Sequence, residues 1–216
     1  MRRVIVAFAL LATGAALSAG QATPSAADLA AKVQSHYDTV KDFQTDFTSV
    51  YRGGFMKAMP PERGTIQVKK PGRIRWVYET PERREWWSDG SKVYMFLPAS
   101  KQGQISPLPA NNDSSTSLLF LMDRGNLVRD FNSSVTGDQP AGQWRLTLVP
   151  KRPDPDLTSL VLVVDRTTFK LGGFETKDDQ GGTTTIQFQN FKENVGLRDQ
   201  VFAKNPPFPK GTDIIK

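Results

Sequence analysis

Few residues of this 216-residue chain have the types and spacing that catalysis or metal binding requires. The single histidine, His36, lies beside the apolar face of a predicted helix, where the local spacing supplies neither metal ligands nor an acid–base partner. Asp178 and Asp179 are adjacent carboxylates of the kind found in turns. No phosphate-binding glycine loop, nucleophile elbow or cysteine occurs. We therefore predict a protein that is not an enzyme and that uses no cofactor and no metal ion.

Large aromatic side chains are the feature that remains. The segment from Pro71 to Pro98 holds three tryptophans, two tyrosines and a phenylalanine between charged residues. Its two-residue period places Ile74, Trp76 and Tyr78 on one face of a strand. Since tryptophan and tyrosine each carry a polar group that seeks a partner, this set favours a large concave apolar surface. An ordinary packed sandwich core is the alternative interpretation.

The elements that position these residues are predicted to be one helix followed by many short strands. Ser25 is a candidate N-cap, and apolar residues then recur at helical spacing until the period changes near Asp42. A Ser-initiated apolar run from Ser115 to Met122 predicts a short buried helix. Hairpin-length turns make the sheet antiparallel. We predict ten or eleven strands in one curved sheet or open barrel, with strands at 43–48, 64–69, 73–79, 84–88, 92–97, 103–108, 128–135, 143–149, 159–165, 170–176 and 183–192.

Trp86 and Trp87 are consecutive within one of these predicted strands. Consecutive strand residues point to opposite faces of a sheet. We therefore expect one of the two indole rings to be exposed or to lie at a rim.

The N-terminus predicts export from the cytoplasm. Two arginines follow Met1, an apolar run extends from Val4 to Leu17, and small residues come next. This is the form of a cleavable signal peptide, and the run is shorter than the roughly 20 residues of a membrane span. An N-terminal anchor helix is the alternative. We predict a signal peptide at residues 1–22 and a single domain at residues 23–216.

The charge distribution does not favour nucleic acid as a partner. The formal net charge is +6, but basic residues alternate with acidic ones, as in the run from Glu82 to Glu85. Such a mixed run is typical of a solvated surface and not of a stripe that follows phosphates. Without cysteines the exported chain also has no disulfide framework, so its fold depends on buried area alone.

The order and spacing of several segments resemble the LolA family of periplasmic outer-membrane lipoprotein carriers over essentially the whole mature chain. The resemblance implies an unclosed antiparallel β-barrel, mainly β, with an α-helical lid over a hydrophobic cavity that accepts acyl chains. The segments that carry it are "FQTDFT" (43–48), "VKKPGRIRWVYETP" (68–81), "SDGSKVYMFLP" (88–98), "TSLLFLM" (116–122), "LVP" (148–150), "DDQGGTTTIQFQNFKENVGL" (178–197) and "FPKGTDII" (208–215).

The resemblance also implies partners and site residues. A carrier of this family takes acylated lipoproteins from an inner-membrane lipoprotein-releasing ABC transporter and delivers them to an outer-membrane lipoprotein receptor; we expect it to act as a monomer. Lys70 matches a position, often arginine, that ties the lid to the barrel by hydrogen bonds; lysine lacks the planar fork, so a looser closure is expected. The expected cavity residues are Phe47, Ile74, Trp76, Tyr78 and Phe96, and the expected lid residues are Leu118, Leu119, Phe120, Leu121 and Met122.

Two alternatives from other classes remain at this point. A periplasmic lipid-binding sensor or regulator could use the same barrel, although an additional domain would then be expected. A lipid-modifying enzyme would need a nucleophile and a base beside the cavity.

Overall fold

The computed structural model describes residues 24–53, 59–108, 125–135, 139–153, 157–203 and 207–215. Helix α1 (Ala26–Thr39) begins as predicted, because the Oγ of Ser25 accepts a hydrogen bond from the backbone N–H of Asp28 at 3.1 Å. The helix ends slightly earlier than the predicted position near Asp42. Val40 has an extended backbone and its N–H donates to the carbonyl of Tyr37 at 3.0 Å, which closes the last turn.

One open sheet of twelve strands makes up most of the described chain. Its strand order is β12-β6-β5-β4-β3-β2-β1-β11-β10-β9-β8-β7, so β12 and β7 form its two edges. All neighbours are antiparallel except β12, which runs parallel to β6. The predicted open, mainly β architecture is confirmed. The strands are β1 (Asp42–Gly53), β2 (Glu62–Lys69), β3 (Arg73–Thr80), β4 (Arg84–Asp89), β5 (Lys92–Leu97), β6 (Gln102–Pro107), β7 (Phe131–Ser134), β8 (Gln143–Pro150), β9 (Ser159–Asp165), β10 (Leu171–Lys177), β11 (Gly182–Glu193) and β12 (Asp213–Ile215).

The predicted strand at residues 128–135 is wrong in its first half, which forms the short helix α2 (Leu127–Asp130). The side chain of Asn126 accepts hydrogen bonds from the N–H groups of Val128 and Arg129, at 3.0 and 2.8 Å. The carboxylate of Asp130 in turn accepts from the N–H of Asn126 at 2.7 Å. These reciprocal bonds satisfy the first turn of a helix. The predicted helix at residues 115–122 lies outside the described residues.

The main core lies between α1 and one face of the sheet, which we call the inner face. This face carries Phe43, Ile66 and Ile74, and it is sealed by Leu29 and Val33 of α1. The side-chain carbonyl of Gln34 accepts from the N–H of Leu127 at 2.8 Å and so joins α1 to α2. Among the described residues, no helix is long and apolar enough to cross a membrane.

The opposite face, which we call the outer face, has a second aromatic cluster at β4 and β5. The ring of Phe208 lies 5.6 Å from that of Trp87, 6.3 Å from that of Tyr94 and 5.9 Å from that of Phe96, centroid to centroid. Trp87 is consequently 1% exposed, while Trp86 is half-buried on the inner face. One of these two indoles was expected to be exposed or at a rim: Trp86 is the less buried of the two but is not fully exposed, and Trp87 is covered by the C-terminal segment.

Asp42 binds the backbone of the segment that follows β11 and leads to the C-terminal segment. Its carboxylate is buried and accepts from the N–H groups of Val195, Gly196 and Leu197, at 2.7 to 3.2 Å. One aspartate at the start of β1 thereby satisfies three consecutive backbone donors.

Candidate functional site

Three aromatic rings from β1 and β3, the two strands that flank β2, form the centre of the inner face. Trp76 and Tyr78 of β3 are stacked, with ring centroids 5.8 Å apart and planes 6° from parallel. Phe47 of β1 contacts both of them edge-on, at 5.5 and 5.1 Å. Between them on β2 stands Gly64, which pairs with Phe47 on one side and with Tyr78 on the other. A Cβ atom there would lie 1.8 Å from the carbonyl oxygen of Val77, so the close approach of these strands requires a glycine.

Phenylalanines of β10 and β11 continue this surface. The ring of Phe174 lies 6.5 Å from Trp76 and 6.0 Å from Phe188, and Phe188 is stacked on Phe191 at 5.7 Å. Phe188 and Phe191 share the inner face because the β1–β11 register shifts at this point and Asn190 adopts φ 55°. We call the six residues Phe47, Trp76, Tyr78, Phe174, Phe188 and Phe191 the aromatic wall.

Burial falls along β3 from Ile74 to Tyr78. At one end Tyr37 of α1 contacts Phe43, which contacts Phe191, and both Phe43 and the nearby Ile74 are fully buried. Further along β3, Trp76 is 9% exposed and Tyr78 is half-buried. Helix α1 therefore covers the inner face beside Phe43 and Ile74, and within the wall Tyr78, Phe188 and Phe191 are half-buried in the described part of the chain.

The inner face stays apolar beyond the wall, toward β5. Trp86 is the direct cross-strand partner of Trp76, and Met95 is the partner of Trp86. Both side chains are half-buried. The indole Nε1 of Trp76 is buried and has no hydrogen-bond partner among the described residues. The wall is thus an apolar surface in which the buried indole N–H of Trp76 donates no hydrogen bond to a described residue.

At Tyr78 the wall is bounded by charged groups. The guanidinium of Arg84 lies 3.7 Å from the centroid of the Tyr78 ring, and its Nη1 donates to Oε1 of Glu62 at 2.6 Å. Burial raises the pKa of the Tyr78 hydroxyl, an effect that the positive charge of Arg84 partly opposes. Burial alone would lower the pKa of Arg84, but its bond to Glu62 raises it. Tyr78 is therefore a neutral phenol and Arg84 a cation at neutral pH.

The structure brings four of the five predicted cavity residues to the inner face and excludes the fifth. Phe47, Ile74, Trp76 and Tyr78 all lie there, although Ile74 is fully buried. The prediction for Phe96 is wrong. Its cross-strand partner is Glu85, which alternates with Trp86, so its ring points to the outer face and packs on Phe208. The predicted lid residues 118–122 lie outside the described residues.

Lys70 joins the sheet to α1. Its Nζ donates to the backbone carbonyl of Tyr37 and lies 3.6 Å from the centroid of the Tyr37 ring. These contacts hold the C-terminal end of α1 over the turn between β2 and β3. The predicted hydrogen bonds between Lys70 and the lid residues stay a prediction.

Sequence reasoning missed half of the wall. Phe174, Phe188 and Phe191 belong to predicted strands, but their faces were not assigned. For Phe174 and Phe188 the two-residue period was the available signal. For Phe191 the period is misleading, because the irregular residue Asn190 intervenes.

The remaining polar groups form no catalytic arrangement in the described ranges. His36 Nε2 lies 2.8 Å from Oε1 of Glu193 at the edge of the core, as a rim histidine would. A groove of about 370 Å³ lies beside the bulge of β11, and its lining is mostly polar, including Gln44, Asp46 and Lys192. Nowhere in the described ranges do three or more His, Cys, Asp or Glu side chains gather as metal ligands would.

Comparison with known proteins agrees with this architecture. The chain is 26% identical over 206 residues to an outer-membrane lipoprotein carrier protein from Chromohalobacter salexigens, covering 95% of each chain. It is 26% identical over 220 residues to the protein of that name from Methylococcus capsulatus, covering 99% of this chain and 97% of that one. An uncharacterized conserved protein from Thermus thermophilus shares the fold with a TM-score of 0.54 and 13% identity, covering 87% of this chain and 96% of that one.

The family model of the outer membrane lipoprotein carrier protein LolA matches residues 38–205. This range includes every strand from β1 to β11 and all six residues of the aromatic wall. The chain therefore belongs to the LolA family.

Proposed function

We propose that this protein is a periplasmic carrier that holds the acyl chains of lipoproteins against the aromatic wall. The observation that carries the proposal is the wall itself: six aromatic rings on one face of an open sheet, next to the core under α1 and half-buried at Tyr78, Phe188 and Phe191. Family membership adds the lipoprotein as the class of cargo. In this proposal residues 1–22 direct export and are removed, residues 118–122 close over the acyl chains, and the carrier acts as a monomer without enzymatic activity.

The free energy of transfer explains why such a carrier is needed. Burying one methylene group is worth about 0.8 kcal/mol, so one long acyl chain gains on the order of 10 kcal/mol on leaving water. A lipoprotein without a carrier would therefore aggregate in an aqueous compartment. Large rigid rings can shield an acyl chain from water without themselves needing hydrogen bonds to it.

The same free energy implies that loading and release need other proteins. Transfer from a bilayer to an apolar protein surface gains almost nothing, since both environments are apolar. The carrier on its own neither extracts its cargo nor retains it against a better acceptor. We therefore propose loading by an inner-membrane ABC transporter and release to an outer-membrane lipoprotein receptor.

A binding experiment tests the proposal. The protein lacking residues 1–22 is mixed with a synthetic triacylated lipopeptide, and complex formation is measured by gel filtration and by tryptophan fluorescence. We expect stoichiometric binding to a monomer, and mass spectrometry should recover the lipopeptide chemically unchanged. Absence of binding would refute the carrier, and covalent change of the lipopeptide would indicate a lipid-modifying enzyme.

Matched variants locate the binding surface. Trp86→Glu places a carboxylate on the half-buried inner face, where desolvation opposes acyl binding, so affinity should be lost. Val149→Glu places the same charge on β8 at an exposed position and should bind as the wild type does. Circular dichroism checks that both variants are folded. Equal binding by both variants would show that the inner face is not the site.

A further inference from the structure

A polar cluster bounds the aromatic wall at Tyr78. Tyr78 and Arg84 are direct cross-strand partners, and Glu62 stands two residues before Gly64 on the same face of β2. The guanidinium is stacked on the ring of Tyr78 and bonded to Glu62 at 2.6 Å. The Arg84 side chain is 35% exposed and that of Glu62 19%, so both reach solvent. We call Glu62, Tyr78 and Arg84 the rim cluster.

The rim cluster offers hydrogen-bond donors but almost no net charge. A guanidinium has five N–H donors, and its bond to Glu62 leaves others available. The carboxylate of Glu62 balances the positive charge of Arg84. A neutral acceptor can therefore bind here without repulsion, whereas a phosphate or a free carboxylate would be placed close to Glu62.

We propose that the rim cluster binds the neutral polar end of the acylated cargo, through carbonyl oxygens of its esters or amides, and that Glu62 makes it discriminate against anionic lipids. The inference rests on the proposed carrier function and adds to it the chemical class that the site prefers. Both kinds of lipid carry ester carbonyls, but on the third glycerol carbon an anionic phospholipid has a phosphate, whereas a lipoprotein anchor has a neutral cysteine thioether next to an amide. Acyl chains alone cannot distinguish these lipids, because both present the same apolar surface to the wall.

Glu62→Gln tests the discrimination. The probes are short-chain lipids that compete with the neutral dye diphenylhexatriene: a diacylglyceryl lipopeptide of zero net charge and phosphatidylglycerol. We expect Glu62→Gln to raise the affinity for phosphatidylglycerol relative to that for the neutral lipopeptide about fivefold, the upper end for a partly exposed ion pair. The gain should shrink as salt is added.

Glu175→Gln is the matched control. Glu175 accepts from Arg145 at 2.8 Å, both side chains are similarly exposed, and the pair lies on the opposite face, since its neighbours Leu146 and Phe174 point inward. It should change neither affinity. If Glu62→Gln and Glu175→Gln have the same effect on phosphatidylglycerol, the discrimination does not depend on the rim cluster and the inference is wrong.

The double variant Arg84→Met/Glu62→Gln tests the donors without leaving an unpaired carboxylate. We expect about tenfold weaker binding of the neutral lipopeptide, typical of losing a hydrogen bond from a charged donor, with unchanged affinity for diphenylhexatriene. A diether analogue identifies the source of the carbonyl: weaker wild-type binding of the analogue indicates the esters, and equal binding indicates the amide. Wild-type affinity of the double variant for the lipopeptide would overturn the inference alone. Failure of the wild type to bind any of these lipids would instead refute the carrier function.

Discussion

The substitution Gly64→Ala should damage the aromatic wall more than its size suggests. The added Cβ would lie 1.8 Å from the carbonyl oxygen of Val77 and 3.0 Å from Cε1 of Phe47. Since the first obstacle is backbone, β2 and β3 must separate by more than about 1 Å to restore ordinary contact, which places the effect among overpacking substitutions. This separation would leave one or two buried backbone groups unpaired, at about 1–3 kcal/mol each, and weaken the Phe47–Tyr78 contact by about 1 kcal/mol.

We therefore expect Gly64→Ala to lower the free energy of unfolding by about 2–7 kcal/mol, a large part of the 5–15 kcal/mol typical of a domain. Urea unfolding followed by circular dichroism measures this loss, and lipopeptide binding should weaken in the folded fraction. Gly172→Ala is the control, because its Cβ would meet no atom closer than 3.6 Å. A Gly64→Ala variant as stable as Gly172→Ala would refute the close approach of β2 and β3.

Three further predictions concern other parts of the chain. Asp42→Ala should lower the free energy of unfolding by about 3 kcal/mol, because three backbone donors lose their acceptor, while the exposed Asp46→Ala should cost about 0.5 kcal/mol or less in the same urea titration. Burial alone would raise the pKa of Asp89, but hydrogen bonds from its turn lower it from 3.8 to about 2. The ionised form thus stabilises the fold above about pH 4 and this stabilisation is lost as the pH falls to about 2, so the stability difference between wild type and Asp89→Asn should shrink over that range in acid titrations. Leu119→Glu should abolish lipopeptide binding with an unchanged circular dichroism spectrum; normal binding would contradict the lid assignment.

The strand pattern could be predicted from the sequence where turns are local. Asp89 illustrates why: its carboxylate accepts from the N–H groups of Ser91 and Lys92, at 2.8 and 2.9 Å, so the Ser88-Asp89-Gly90 signal closes the β4–β5 hairpin without help from distant residues. The short edge strand β12 carries no comparable signal. It has three residues, and it pairs with β6 about a hundred positions earlier in the chain.

The faces of strands were harder to predict than the strands themselves. Phe96 was expected in the apolar cavity, yet the register that connects Trp76 to Trp86 and then to Met95 places it on the other side of the sheet. A second apolar covering, supplied by Phe208 from the C-terminal segment, makes an outward-facing aromatic stable there. Because this covering comes from a distant part of the chain, the alternation of apolar and polar residues in β5 does not reveal which face Phe96 occupies.

Local irregularity limited the prediction of the site in a different way. Asn190 adopts a left-handed backbone, and the strand on either side of it changes face. Asparagine tolerates this conformation better than most residues, but its presence in a strand does not by itself require a bulge. Arg84 belongs to a run interpreted as a solvated surface, and nothing in the sequence connects it to Glu62, because only the paired strands bring the two together at Tyr78.

The burial of β4 from both sides gives the molecule two separate optical reporters in consecutive residues. The side chain of Trp86 lies on the inner face with the aromatic wall. The ring of Trp87 lies on the outer face, stacked on Tyr94 with centroids 5.1 Å apart and in contact with Phe208. Arrival of a lipid should change the emission of the first indole and leave the second as an internal reference, whereas detachment of the C-terminal segment should do the reverse. Two variants that retain only Trp86 or only Trp87 as their tryptophan would thus report on the two faces of one sheet independently.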